Sequence, residues 1–165
     1  MIDWCEKQDN EMETIEIGAV KFHAKTFDLI DEFQIFIRPT MNPTLTDFCK
    51  NLTSISQSDV DSAKTFKDSF IDFQDWAGDT QQFLAWGAFD YFQLRDDCKR
   101  AGIHCFAQRK YLNAKLLYTY FTGIRGAGLS TRMKSHGLEF EGTAHRALDD
   151  AKNTLRVLKE AWKEF

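Results

Sequence analysis

No apolar run in this sequence approaches the roughly 18 residues that a membrane span needs. The stretch from Met1 to Asn10 is polar and acidic, so neither a transmembrane segment nor a secretory signal is expected, and no membrane partner. Cysteine is sparse: Cys5, Cys49, Cys98 and Cys105 are scattered and form no CxxC pair. That argues against a zinc site or a disulfide framework and for a reducing, cytoplasmic setting. Basic charge is not in excess either, with 21 Lys+Arg against 25 Asp+Glu, a net charge of −4 and a pI near 5.6. A protein that passively coats nucleic acid usually has a basic surface. An acidic pocket neutralised by metal ions remains compatible with acting on nucleic acid. Both prolines, Pro39 and Pro43, mark a single irregular loop. With no internal repeat, low-complexity segment or linker, residues 1–165 read as one domain.

What is present is a globular composition with 15 phenylalanines, which predicts a core built on aromatic packing. TIEIGAVKF (14–22) and LIDEFQIFIR (29–38) read as two strands joined by a short link, an antiparallel hairpin. Short helices follow over 47–52 and 56–62, and a longer one over 65–76 stops near Gly78. Residues 82–86 form a short buried strand, 90–101 a helix closed by Gly102, and 111–113 another short strand. Helices are expected over 114–121 and 129–136, and a last one, with Thr143 as its N-cap, runs to about Trp162. Strands first, then alternating helix and strand, imply an α/β fold: a mixed sheet with helices on its faces.

On a helical wheel of the last helix, Ala147, Ala151, Leu155, Val157, Leu158, Ala161 and Trp162 share one arc. Asp149, Lys152, Asn153, Arg156, Glu160 and Lys163 fall opposite. Asp150 lies inside the apolar arc, where a carboxylate is costly unless paired, hydrogen-bonded or bound to metal. A plain reading pairs it with Arg146, four residues earlier, or lets it favour the positive N-terminus of the helix. Two other residues point to chemistry. His145 precedes the helix and suits a general base, or is simply a solvated helix-end histidine. Asp90 follows a short strand, where sites gather in α/β sheets, or forms a capping box with Gln93.

These residues also resemble a known family. HRALDDA (145–151) is similar to the HxAxxD motif of DEDDh 3′–5′ exonucleases. EIGAV (16–20) resembles the strand after that family's first motif, and AWGAFDYFQL (85–94) its second motif, with Asp90 as the metal-binding aspartate. The segments 36–56 and 137–151 resemble the corresponding stretches of the histone-mRNA exonuclease and sporulation-inhibitor-like branch. The resemblance implies an RNase H-like fold and two divalent cations, Mg²⁺ or Mn²⁺ with hard carboxylate ligands. It implies Asp3, Asp90 and Asp150 as ligands and His145 as the base that deprotonates water. The substrate would be single-stranded RNA or DNA, cut from the 3′ end to nucleoside 5′-monophosphates. Phe89, Tyr91 and Phe92 beside Asp90 are candidates to stack on a terminal base, or are core aromatics at helical spacing. Arg125, Arg132, Lys134 and Arg146 form a basic cluster in sequence, one or two of them candidate phosphate contacts and each otherwise part of a solvated basic face.

The first motif departs from the family's DxE. If Asp3 is its aspartate, Cys5 stands where glutamate belongs, and Glu6, one residue late, would point to the opposite face of a strand. Either Asp3 is a ligand followed by a lost segment, or Asp3 is a loop residue and the motif is missing through truncation or a natural start site. Both readings predict weak metal binding and lowered activity. The alternative function is a catalytically degenerate relative that binds nucleic acid or a protein partner.

Overall fold

The structure is a computed structural model that describes residues 2–4, 12–80 and 82–163. Its centre is the expected hairpin. Strands β2 (Thr14–Phe22) and β3 (Leu29–Arg38) pair antiparallel with Glu16 opposite Phe36 and Val20 opposite Glu32. A short strand, β1 (Ile2–Trp4), pairs antiparallel with the other edge of β2 and sets Asp3 opposite Glu16. Asp3 therefore lies on a strand and not in a loop; Cys5 and Glu6 lie outside the described residues. Strand β4 (Lys64–Thr65) joins β3 in parallel to complete a four-stranded mixed sheet, while β5 (Phe83–Ala85) and β6 (Tyr111–Asn113) form a parallel pair.

Seven helices are seen among the described residues: α1 (Asp47–Thr53), α2 (Gln57–Asp61), α3 (Phe66–Ala77), α4 (Phe89–Arg100), α5 (Ala114–Thr122), α6 (Leu129–Ser135) and α7 (Ala147–Trp162). Side-chain caps explain several starts. Thr46 accepts from the Cys49 amide, Ser56 and Asp59 form a capping box, and Thr65 caps α3. The capping box of Asp90 with Gln93, the plain alternative for Asp90, does not form. Helix α4 begins at Phe89 without a side-chain cap, and Gln93 turns inward to donate to Met12 O and to Asp97.

Aromatic packing does build the core, as the phenylalanine count predicts. Phe70, Phe73 and Phe106 meet at 5.3–6.0 Å between ring centroids and close over Ile17 and Ile37. The irregular loop after β3 is held by one carboxylate: Glu13 accepts from the Thr40, Met41 and Asn42 amides at 2.8–2.9 Å.

Two contacts set the positions of the helices that matter here. Asp97 on α4 accepts from both the amide and the hydroxyl of Thr14, at 3.2 and 2.5 Å, and ties α4 to the start of β2. Helix α7 crosses β2 at Gly18, where an added Cβ would fall inside contact distance of the α7 backbone at Ala147 and Leu148. Glycine is needed there for that close approach.

Candidate active site

Asp90 and Asp150 sit in the first turns of α4 and α7. The two contacts above, at Thr14–Asp97 and at Gly18, bring those turns together over β2. Burial pushes the Asp150 carboxyl up to about 6; His145 and a backbone hydrogen bond from it oppose the rise, and the charge of Asp90 adds to it. Tyr111 is a neighbour that sequence reading treated only as a strand residue. Burial and Asp90 raise its phenol to about 12, and its hydroxyl donates to the Gly87 carbonyl. A small cavity of about 80 Å³ lies beneath Asp90, lined mainly by apolar groups including Ile17, Leu94 and Ala107. The structure thus places His145 and Asp90 near enough to Asp150 to act on its charge.

His145 is exposed, on a tight turn before α7, with a φ of 65°. Left-handed backbone at a non-glycine residue is uncommon and persists where surroundings enforce it. The two residues that follow His145, Arg146 and Ala147, are both bound by Glu16, which the sequence presents as an ordinary strand residue. Its carboxylate, fully buried, accepts from Gln34 Nε2 (2.5 Å), Arg146 Nη2 (2.9 Å), Arg146 Nε (3.3 Å) and the Ala147 amide (2.9 Å). Burial alone would raise its pKa, but these bonds and the Arg146 charge outweigh it and hold the carboxyl below its usual value. The available signal is a lone carboxylate between two isoleucines of a strand.

Several expectations about the last helix change. Thr143 is not the N-cap; that position is Arg146, with no side-chain cap of its own. Glu16, 131 positions earlier, takes the Ala147 amide instead. Arg146 does not pair with Asp150 as the plain reading had it: it is ion-paired with Glu16 and lies over the Phe36 ring. Through that ion pair it ties the turn to β2. Arg132 is buried, donating to the Arg125 and Gly126 carbonyls, whereas Arg125 and Lys134 are exposed. Asp149, read as a solvated residue, accepts from the Thr143 amide at 2.8 Å. Asn153, placed on the polar face, is fully buried and bonds the Glu141 backbone, while Trp162, placed on the apolar arc, is partly exposed. Phe89 is exposed on the surface one residue before Asp90, and Phe92 on the same helix is exposed as well.

Asp90 and Asp150 supply hard oxygen donors, and the raised pKa of Asp150 marks a carboxylate that a cation would stabilise. The donor set fits a divalent cation. Among the described residues, no group of three or more His, Cys, Asp or Glu side chains converges with metal-ligand spacing.

A family profile described as Exonuclease, of the RNase T type, matches residues 5–158, a span that starts after Asp3. ERI1 exoribonuclease 2 of Homo sapiens is 28% identical over 95% of this chain and 26% of its own length. The 3'-5' exonuclease Snipper of Drosophila melanogaster is 29% identical over 87% of this chain and 58% of its own length. The chain thus spans 26% and 58% of the length of these curated relatives. The crystal structure of the nuclease domain of 3'hExo, a DEDDh family member bound to rAMP, superposes with a TM-score of 0.90 at 26% identity, covering 99% of this chain and 89% of that one. The shared α/β fold is that of the RNase H-like exonucleases, and the chain belongs to the DEDDh 3′–5′ exonuclease superfamily.

Proposed function

We propose that this chain is a divalent-metal-dependent 3′–5′ exonuclease that shortens single-stranded RNA or DNA from the 3′ end. The observation that carries the reading is the meeting of Asp90, Asp150 and His145, with the Asp150 carboxyl raised to about 6 by burial beside a second carboxylate. Such a pair is costly to keep charged without a cation. Asp90 and Asp150, with Asp3 on β1, hold Mg²⁺ or Mn²⁺. His145, exposed beside Asp150, takes the proton from the attacking water. Phe89 offers its ring to the terminal base. When bound, the cations supply activation of water and stabilisation of the leaving 3′-oxygen. Nucleoside 5′-monophosphates are the products, in keeping with the rAMP bound by the related nuclease domain.

Cys5 in the place of the family's glutamate supports a second reading: a degenerate relative that binds nucleic acid or a protein partner without cutting. On the first reading the rate stays below that of a site with an intact DxE. The buried thiols of Cys49, Cys98 and Cys105 suit a cytoplasmic setting, which cell fractionation would test.

The test is incubation of 5′-labelled single-stranded RNA and DNA with the chain in Mn²⁺ and in Mg²⁺, beside Asp150→Asn. A ladder shortening from the 3′ end is expected. Replacing groups that merely support a metal ligand typically costs 10- to 100-fold, so Asp150→Asn should lose at least about 100-fold. A folded chain that cleaves neither substrate, and whose melting is unmoved by either cation, would leave only the second reading.

A further inference from the structure

Glu16 touches neither Asp90 nor Asp150 through any of its hydrogen bonds, yet it organises the turn that carries His145. Three observations define its position. Both oxygens of a fully buried carboxylate are engaged, Oε1 by Gln34 and Arg146 and Oε2 by Arg146 and the Ala147 amide. Helix α7 has no local side-chain cap, so the Ala147 amide, at the first helical position and without an intrahelical acceptor, depends on Glu16. Between these two clamped neighbours and the preceding turn, His145 is held with left-handed backbone. Gly18, two residues along the same strand, fixes how closely α7 can lie on β2 and so the reach of the clamp.

We infer that Glu16 is a positioning residue: through Arg146 and Ala147 it locks the turn that presents His145 beside Asp150. This rests on the exonuclease reading, in which His145 is the base. A buried carboxylate at a helix start also lowers the energy of the helix terminus, so a purely structural role is the rival account. The two differ in whether Glu16 matters once His145 is gone. If it acts through His145, its effect disappears in a chain lacking the imidazole; if it only stabilises the fold, its effect is the same in both.

The variant is Glu16→Gln, which keeps the shape but cannot accept at both oxygens; Glu16→Ala risks misfolding. Turnover of a labelled oligonucleotide in Mn²⁺ is measured for the wild type, Glu16→Gln, His145→Ala and the double variant, each normalised to its folded fraction. Glu16→Gln should lower kcat by about 10- to 100-fold, the range seen when groups supporting a catalytic centre are removed. In the His145→Ala background its further loss should be under about threefold. Hydrogen exchange at the Ala147 amide should accelerate at least tenfold, on the order of one lost hydrogen bond, while the middle of α7 stays protected. An equal loss in both backgrounds overturns the inference, as does unchanged kcat or unchanged Ala147 exchange. A wild-type chain that cuts nothing sinks the exonuclease reading instead. The clamp is then judged by Ala147 exchange and by the His145 ring signals in NMR, which Glu16→Gln must shift for the clamp to stand.

Discussion

Glu16 and Asp150 are carboxylates within one helical turn of the start of α7, and their surroundings act on them in opposite directions. Burial raises the pKa of both. At Glu16 an arginine, a glutamine and a backbone amide more than offset it, and the carboxyl ends below its usual value. At Asp150 one backbone hydrogen bond and the nearby imidazole do not offset it, a second carboxylate adds to it, and the value rises to about 6. A satisfied buried carboxylate holds structure together, whereas one left at a cost marks a place where something else is meant to bind. Asp97 lies between the two: burial raises it, and Thr14, Gln93 and Arg100 offset this in part.

The sharpest way to break the contrast is to push the two regions apart. Gly18→Val places side-chain atoms against the α7 backbone at Ala147 and Leu148. Overpacking of this kind costs about 3 kcal/mol or more, a fall in melting temperature of about 6–12 °C for a chain this size. Calorimetry and the nuclease assay should show stability and activity lost together.

Next in size is removal of the satisfied carboxylate. Glu16→Ala strands the partly buried Arg146 guanidinium and should cost about 3 kcal/mol, read by urea unfolding at pH 7.5. Its pH dependence follows from a depressed pKa. The stabilisation is present above the usual carboxylate value near 4.5 and is lost as pH falls through the lower folded value. The gap between wild type and Glu16→Ala should therefore narrow only in acid.

Asp150→Asn should do the reverse. Because the folded pKa is raised from 3.8 to about 6, charging Asp150 costs stability as pH rises through 6. Without divalent metal, the variant should melt above wild type at pH 7.5, by a few degrees for a gain of about 1 kcal/mol. That advantage should shrink by pH 5. Smallest is Phe89→Ser, which should leave melting nearly unchanged and raise KM for an oligonucleotide about fivefold, the loss of one modest stacking contact.

Much of this was legible in the chain. The alternation in 14–22 and 29–38 and the helical pattern of 65–76 act over a few residues, and those elements stand where they were expected, the helix starting one residue later with Thr65 as its cap. Asp150 was legible too, because a carboxylate in an apolar arc conflicts with its own helix. What escaped were partners distant in sequence. Thr143 looks like a cap, but Glu16 reaches the helix start from 131 positions away. Asn153 lies on the polar arc, but the backbone at Glu141 folds over it. Arg146 is legible as a cation near the site, but not its ion pair with the buried Glu16. Each miss is a long-range pairing overriding a sound local pattern.

The most direct test of the contrast is the melting temperature of wild type and Asp150→Asn at pH 7.5, with and without Mn²⁺. Without metal the variant should be the more stable. With saturating Mn²⁺ the order should reverse, because only wild type gains binding energy from a cation held by Asp150. A variant less stable than wild type without metal, with Mn²⁺ moving neither protein, would contradict the claim that Asp150 is a carboxylate kept at a cost for a cation.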